Sequence, residues 1–230
     1  MQLLKKRGII IFWALLLLDC YFIYTNNNAS RIFTKPLLVP ILGFYVFLNS
    51  KKNYYQTTKV LIFFAFIAAW LGDMLLMGSK EIFFISGMIA FATFHLLIAT
   101  VFLRFNKIRL VKCQNAFLAL LVYLFISYRL IKFLKDGLDG FQVPLIIYIV
   151  VMGIMVTAVF NQLESSNRRM NAMAFFAPAA ILFVISDSTL ALQKFKYFNE
   201  GFLSVIVMLA YGYSMNLFSE GFAKVLKGGA

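Results

Sequence analysis

Three acidic residues lie inside long apolar runs of the sequence, where an isolated charge is costly. Asp73 lies in the stretch AWLGDMLLM, within an otherwise uncharged run from Val60 to Ser79. Asp19 and Asp187 lie in similar runs. A charge at the centre of a membrane helix costs about 2.5–3.5 kcal/mol on insertion scales, so such residues usually face the bundle interior and act on something. Paired carboxyls can serve as acid and base, or carry protons in a transporter, and both possibilities apply to Asp73 and Asp187.

The simpler alternative is that each Asp only caps or hydrogen-bonds a neighbouring helix. Asp73 and Asp187 each follow a small residue, Gly72 or Ser186, which lets a partner backbone approach closely. Both lie one to two turns from a predicted helix end, too deep to reach the interface easily. We therefore favour a functional role for these two residues, whereas Asp19 lies closer to the interface and fits either role equally.

Two basic residues are further candidates for the site. His95 is the only histidine. If the chain turns at Gly78–Ser79, His95 would lie roughly 24 Å from the turn along its helix, and Asp73 about 9 Å from it along the preceding helix. We therefore expect no contact between them and favour a hydrogen-bonded core histidine. Lys35 precedes Pro36, which suits a first helical turn. Lys35 would lie level with the acids at the outer edge, where it could hold a phosphate or extend towards the interface.

The composition predicts that these residues are positioned by membrane helices. Hydrophobic residues make up 62% of the 230 residues and the mean hydropathy is +0.85, far above the roughly 45–50% apolar content of ordinary globular domains. We therefore predict an all-α integral membrane protein with eight transmembrane helices. The predicted spans are Gly8–Tyr24, Pro36–Leu48, Val60–Met77, Ile82–Leu103, Cys113–Leu130, Gln142–Phe160, Ala172–Leu192 and Phe202–Phe218.

The second span and the orientation depend on weaker signals. Pro36–Leu48 has 13 residues, fewer than the roughly 20 that a span needs, so flanking residues must contribute turns. With the N-terminus inside, the inner connectors hold 14 Lys and Arg, including Lys52, against 8 outside. Because cytoplasmic loops carry the excess of positive charge, we expect both termini in the cytoplasm, in a bacterial inner (cell) membrane.

The remaining composition excludes several classes of protein. The formal net charge of +13 lies in short connectors, so it does not predict a nucleic-acid partner. The two cysteines, Cys20 and Cys113, provide neither a disulfide framework nor metal spacing. We expect a single membrane domain over residues 1–230 without cofactor or metal, and the sequence leaves the oligomeric state open.

Two segments suggest an internal repeat. LGDMLLMGSKEIFFISG (71–87) and ISDSTLALQKFKYFNEG (185–201) align without a gap, so that Asp73 matches Asp187. The offset is half the chain, which would give two parallel four-helix halves, at about 1–114 and 115–230. Such a duplication would place the two acids at equivalent depths.

The motifs of known membrane proteins narrow the range of functions that these residues could have. An intramembrane aspartyl protease needs a GxGD motif, but Trp70 stands at the first glycine position. A proton-coupled carrier or a non-catalytic lipid-binding protein remains possible, although the helices lack the Gly/Pro interruptions typical of unwound transport sites. No serine nucleophile with a base partner is evident.

Several short motifs occur in an order that resembles the YhhN family. They are KP opening the second span (Lys35), GDxxL (Asp73), a glycine followed by AFATFH (Gly87 to His95), and SDxxLA (Asp187). This family consists of small eight-span proteins that include lysoplasmalogenases, and the similarity covers essentially the whole chain. Its last span carries an Ala-Gln pair. In this sequence Ser214 and Met215 occupy those two positions, so a side-chain amide in this part of the span would have to come from Asn216.

The resemblance implies hydrolysis of the vinyl ether of a lysoplasmalogen, with a lysophospholipid or ether lipid as substrate. Vinyl ethers are cleaved by protonation of carbon, which gives an oxocarbenium ion that water captures, as in the two-carboxylate glycosidases. Asp73 and Asp187 would form the acid/base pair, with either residue in either role. Lys35 would hold the phosphate, and Asp19 would either support the other site residues or recognise an amine. His95 and Asn216 complete the candidate substrate-binding set.

Overall fold

The computed structural model describes residues 2–51, 55–109, 112–138, 140–198 and 200–228. Within these ranges it is helical, and eight helices are long and apolar enough to cross a membrane. Lys52, which contributes to the charge count above, lies outside the described residues. The helices are α1 (Gln2–Tyr24), α2 (Asn28–Asn49), α3 (Gln56–Leu75), α4 (Glu81–Phe105), α5 (Gln114–Leu134), α6 (Gln142–Phe160), α7 (Arg169–Phe195) and α8 (Gly201–Lys227). The predicted all-α, eight-span architecture is confirmed.

Helix α2 differs most from its prediction. It begins at Asn28, where the Asn27 side chain accepts a hydrogen bond from the Ser30 backbone N–H, and it has 22 residues. The expectation that Pro36 opens the helix is wrong, because Pro36 lies more than two turns inside it. The polar start of α2 resembles a loop in the sequence. It is helical because its charged side chains find partners inside the bundle, as described below.

A tryptophan compensates for the prolines in α2. Pro40 has no N–H, so the carbonyl of Pro36 loses its usual partner four residues later. The indole Nε1 of Trp70 donates a hydrogen bond to that carbonyl at 2.9 Å. The bond fixes the last turns of α3 against α2, which positions Asp73 relative to Lys35.

Helix α8 forms the centre of the bundle and packs against α1, α2 and α7. Most of its residues from Met208 to Leu226 are buried. A Cβ at Gly212 would lie 2.5 Å from Leu16 Cδ2, and one at Gly221 would lie 2.4 Å from Phe176 Cε1. These glycines let α8 approach its neighbours closely, so its polar side chains lie in the interior.

Helix α7 begins irregularly. A short helical turn and a π turn at Ala172–Phe176 precede its regular part, Ala177–Phe195. Each segment of the suggested repeat ends one helix and begins the next: residues 71–87 join α3 to α4 and residues 185–201 join α7 to α8. The internal duplication, the kind of membrane and the side of it that holds the termini stay predictions.

Candidate functional site

Asp73 lies in the last turn of α3 and is buried. Its Oδ1 is 3.8 Å from Lys35 Nζ, and its Oδ2 accepts a hydrogen bond of 2.8 Å from the Tyr211 hydroxyl. The structure therefore brings together Asp73 and Lys35, two of the residues singled out from the sequence. Both are buried, and Lys35 lies level with Asp73, as expected.

Asp19 belongs to the same region. It is fully buried on α1, accepts a hydrogen bond of 2.7 Å from Thr34 Oγ1 and lies 3.5 Å from Arg31 Nη2. Because Arg31, Thr34 and Lys35 all lie on the first turns of α2, the two acids are linked through that helix. We refer to Asp19, Arg31, Lys35 and Asp73 as the four-charge cluster, which contains two acids and two bases.

Asp187 has a different environment, on the wall of a small cavity. Its side chain is 16% exposed, and the cavity has a volume of about 40 Å³. A water molecule needs about 10–15 Å³ on this measure, so a few waters fit beside the carboxyl. Apart from Asp187 and Tyr148, the lining is apolar: Leu76, Phe84, Met88, Phe91, Leu145, Leu190, Ala191 and Phe195.

A chain of hydrogen bonds orients Asp187. The Tyr148 hydroxyl donates to Asp187 Oδ2, and His95 Nε2 lies 3.0 Å from the same hydroxyl and 3.7 Å from Asp187 Oδ2. A tyrosine hydroxyl has a single hydrogen, so Tyr148 accepts from His95, and His95 carries its hydrogen on Nε2. The order of donation is His95 to Tyr148 to Asp187.

His95 is fully buried and packs edge-on against Phe183, with ring centroids 4.7 Å apart. Its described polar partners are Tyr148 and Asp187, not Asp73, in agreement with the depth argument. The expected fully hydrogen-bonded core histidine is half right, because the buried Nδ1 has no partner among the described residues.

Asp73 and Asp187 are not in direct contact, since no hydrogen bond joins these two carboxyls. The Phe91 ring touches the surroundings of both acids. It lines the Asp187 cavity, packs edge-on against Tyr211 at 5.7 Å and covers Gly72, where a Cβ would come within 2.7 Å of it. The Tyr211 hydroxyl donates to Asp73, so each carboxyl has its own tyrosine donor and one aromatic ring borders both sites.

Asn216 lies apart from both acids. Its Nδ2 donates to Glu220 Oε1 at 2.8 Å, and its buried Oδ1 has no partner among the described residues. At the Ala-Gln position of the family, Ser214 donates to the carbonyl of Ala179 and Met215 is packed in the core. The structure does not bring Asn216 to the other candidate residues.

Sequence reasoning missed the partners of the acids: Tyr148, Tyr211, Thr34 and Arg31. Tyrosines are common in this chain, with 11 in total, and nothing in the sequence distinguishes these two from membrane-interface residues. Arg31 could have been predicted as a neighbour of the site, since it lies one helical turn before Lys35. Within the described ranges, no group of three His, Cys, Asp or Glu could hold a metal ion.

These features define a class: an eight-helix membrane protein with tyrosine-bound carboxyls in its interior, one of them beside a cavity of water size. The sequence matches the model of the YhhN family over residues 30–222, and the chain belongs to that family. The match includes Lys35, Asp73 and Asp187, whereas Asp19 precedes it. Searches of curated proteins and of solved structures found no match.

Proposed function

We propose that this protein is a membrane-embedded hydrolase that cleaves the vinyl ether bond of a lysoplasmalogen, giving a fatty aldehyde and a glycerophospho head group. The observation that carries the proposal is the position of Asp187, an oriented carboxyl beside a cavity with room for water. Family membership supports it, because the family resembled by the sequence includes lysoplasmalogenases. The apolar lining of the cavity suits the alkenyl chain of such a substrate.

The surroundings of the two carboxyls suggest which acts as the acid and which as the base. Asp187 lies beside the water-sized cavity, so we assign it as the base that accepts a proton from the attacking water. Asp73 is buried and does not line that cavity, whereas Phe91, which covers the adjacent Gly72, does. We assign Asp73 as the acid, which requires Phe91 to rotate or the substrate to displace it.

The proposed steps balance in atoms and charge. Asp73 gives its proton to the outer carbon of the double bond, and an oxocarbenium ion forms. Water adds to the cationic carbon while Asp187 takes its proton. The hemiacetal then collapses, because its hydroxyl proton moves to the glyceryl oxygen as the carbon–oxygen bond breaks. Asp73 has then lost one proton and Asp187 has gained one, which solvent exchange resets.

The groups beside Asp187 fit its role, whereas Lys35 opposes the acid role of Asp73 until substrate binds. The Tyr148 hydroxyl donates to Asp187, which stabilises its ionised form and fixes its orientation. The negative charge of an ionised Asp187 near the reacting carbon also stabilises the oxocarbenium ion, and its role as base on water corresponds to that of the second carboxylate in inverting glycosidases. Asp73 faces Lys35, which favours its ionised form when no substrate is bound, so an acid role requires that Lys35 moves away.

The test is aldehyde release by purified protein in detergent, without added metal or ATP. A 1-alkenyl lysophospholipid should give aldehyde, and its saturated 1-alkyl analogue should not. Asp187→Asn should abolish release, whereas Asp136→Asn, an exposed carboxyl on the connector after α5, is the matched control and should retain it. Full turnover by Asp187→Asn would contradict the assignment. No turnover, with ligand-dependent proton movement in liposomes, would instead favour a carrier.

A further inference from the structure

The four-charge cluster contains cationic groups with unused hydrogen-bond donors. Lys35 Nζ lies 3.8 Å from Asp73, beyond hydrogen-bond distance, and no described group accepts a hydrogen bond from it. Arg31 Nε is buried and has no partner among the described residues. A buried donor without a partner costs roughly 1–3 kcal/mol. A ligand with acceptor oxygens would therefore gain hydrogen bonds from both side chains.

The chemistry of these donors fits a phosphate. Arginine presents a planar fork of donors that matches phosphate oxygens, and lysine adds a compact positive charge. Arg31 and Lys35 are one helical turn apart on α2, so their side chains lie on the same face. The Arg31 side chain is 20% exposed and Lys35 is 8% exposed, so a ligand would reach Arg31 first.

We propose that Arg31 and Lys35 together bind the phosphate of the lysophospholipid, and that the bound phosphate draws Lys35 away from Asp73, which then takes a proton from solvent. This inference rests on the proposed function, since it names the head-group site of the same substrate. It makes the acid dependent on the substrate, because Asp73 is protonated only after the phosphate is in place.

Charge balance in a buried cluster supports this coupling. The charged groups around Asp73 are Lys35 and Arg31 on α2 and Asp19 on α1, while α8 contributes the neutral hydroxyl of Tyr211. The four charges sum to zero, and a phosphodiester adds one negative charge. Uncompensated charge is expensive in a desolvated site, so uptake of one proton restores neutrality. Each acid keeps a hydroxyl donor, Tyr211 for Asp73 and Thr34 for Asp19. Arg31 can bind the phosphate through its unpaired Nε while Nη2 stays beside Asp19. Lys35, by contrast, has a single Nζ and must leave Asp73 to bind.

The proton has a complete path in this scheme. It comes from water as the phosphate binds, resides on Asp73 and passes to the outer carbon of the vinyl ether. Asp187 receives a proton from the attacking water and returns it to solvent. When the glycerophospho product leaves, Lys35 pairs again with Asp73.

The experiment is titration calorimetry with lipids that cannot be hydrolysed, in two buffers of different ionisation enthalpy. The probes are a saturated 1-alkyl lysophospholipid and the 1-alkyl glycerol of the same chain length. The wild-type protein should take up about one proton per molecule of phosphate-bearing probe and none with the alkyl glycerol. Proton uptake with inorganic phosphate alone would assign the site to free phosphate and overturn the lipid assignment.

Variants assign the proton to its residue. Asp73→Asn should abolish proton uptake, and Asp187→Asn, the matched control, should retain it. Lys35→Met provides a second check should Asp73→Asn fail to fold: with no counter-ion Asp73 is already neutral, so uptake should again disappear. Arg31→Gln should weaken binding of the phosphate probe by about tenfold or more and leave the alkyl glycerol unaffected. Uptake that persists in Lys35→Met or in folded Asp73→Asn would overturn the proposal.

The outcome is independent of turnover. Proton uptake without aldehyde release from the alkenyl analogue would contradict the proposed function and leave the phosphate site intact. Aldehyde release without phosphate-dependent proton uptake would support the hydrolase and overturn this inference.

Discussion

Asp73 and Asp187 lie in similar short motifs, GDxxL and SDxxLA, yet their environments differ in charge. Asp73 faces a lysine ammonium and lies in a cluster of four charged groups. Asp187 accepts its hydrogen bond from the neutral Tyr148 hydroxyl and lines a small cavity. Each carboxyl thus has one tyrosine donor, and the second partner makes the difference. Two like residues therefore have different surroundings, one beside a counter-ion and the other beside a cavity of water size.

The largest expected effect is on catalysis, where the two sites should behave alike. Asp73→Asn and Asp187→Asn should each lower kcat about 10²–10⁴-fold, because each removes a group that transfers a proton in the reaction. Initial rates of aldehyde release in detergent provide the measurement. Normal turnover in one of the two variants would show that the remaining acid works alone and that the pair is not a catalytic unit.

Stability should separate the two sites. Asp73→Asn leaves a buried Lys35 without its counter-ion, which typically costs about 3–5 kcal/mol. Among the described residues, Asp187→Asn leaves no buried lysine or arginine without its counter-ion. The midpoint of unfolding in an SDS titration should therefore fall much further for Asp73→Asn. The double variant Lys35→Met/Asp73→Asn should recover most of the loss. Equal destabilisation by the two single variants would show that the ion pair contributes little.

The two tyrosine donors should contribute unequally to stability. Tyr148→Phe removes the hydroxyl that bonds both His95 and Asp187, whereas Tyr211→Phe removes the single described hydrogen bond to Asp73. A buried polar group without a partner costs about 1–3 kcal/mol, so Tyr148→Phe should be the more destabilising change. It should also lower kcat with little change in KM, since Asp187 loses its fixed orientation. The reverse order of the two variants would contradict the donor chain.

The smallest effect concerns the Phe91 ring, which borders both sites. A Cβ at Gly72 would lie 2.7 Å from Phe91 Cε2, so Gly72→Ala must displace the ring, whereas at Gly43 the nearest atom is 3.6 Å away. Gly43→Ala should be neutral or stabilise by about 0.5–1 kcal/mol through its helix propensity. Gly72→Ala should lose roughly 1–3 kcal/mol, the usual cost of overpacking. Unfolding of the two variants side by side tests this, and identical stability would show that Phe91 moves freely.

The helices could be predicted from the sequence because long apolar runs signal spans regardless of tertiary detail. The exception is α2, whose first turns hold Arg31, Thr34 and Lys35. Their helical state depends on Asp19 and Asp73, which lie on other helices and are close only after folding. Local composition does not contain that information, so the predicted second span was too short.

The acids themselves could also be predicted, because a carboxyl in an apolar run stands out. Their partners could not. Tyr148 and Tyr211 lie on α6 and α8, and their hydroxyls meet the acids only through helix packing. His95 illustrates the same limit: depth arguments exclude contact with Asp73, but only the arrangement of α4, α6 and α7 brings it to Asp187.

Isotope labelling shows whether the protein itself delivers a solvent-derived proton to the vinyl ether carbon. The alkenyl lysophospholipid is hydrolysed in heavy water, the aldehyde is trapped at once by reduction to the alcohol, and deuterium is located by NMR. We expect one deuterium, in a single configuration, on the carbon next to the former aldehyde carbon, and no label in the substrate that remains. A racemic mixture at that carbon would show that an enol was released and took up its hydrogen in free solution, and would contradict the role of Asp73 as the acid.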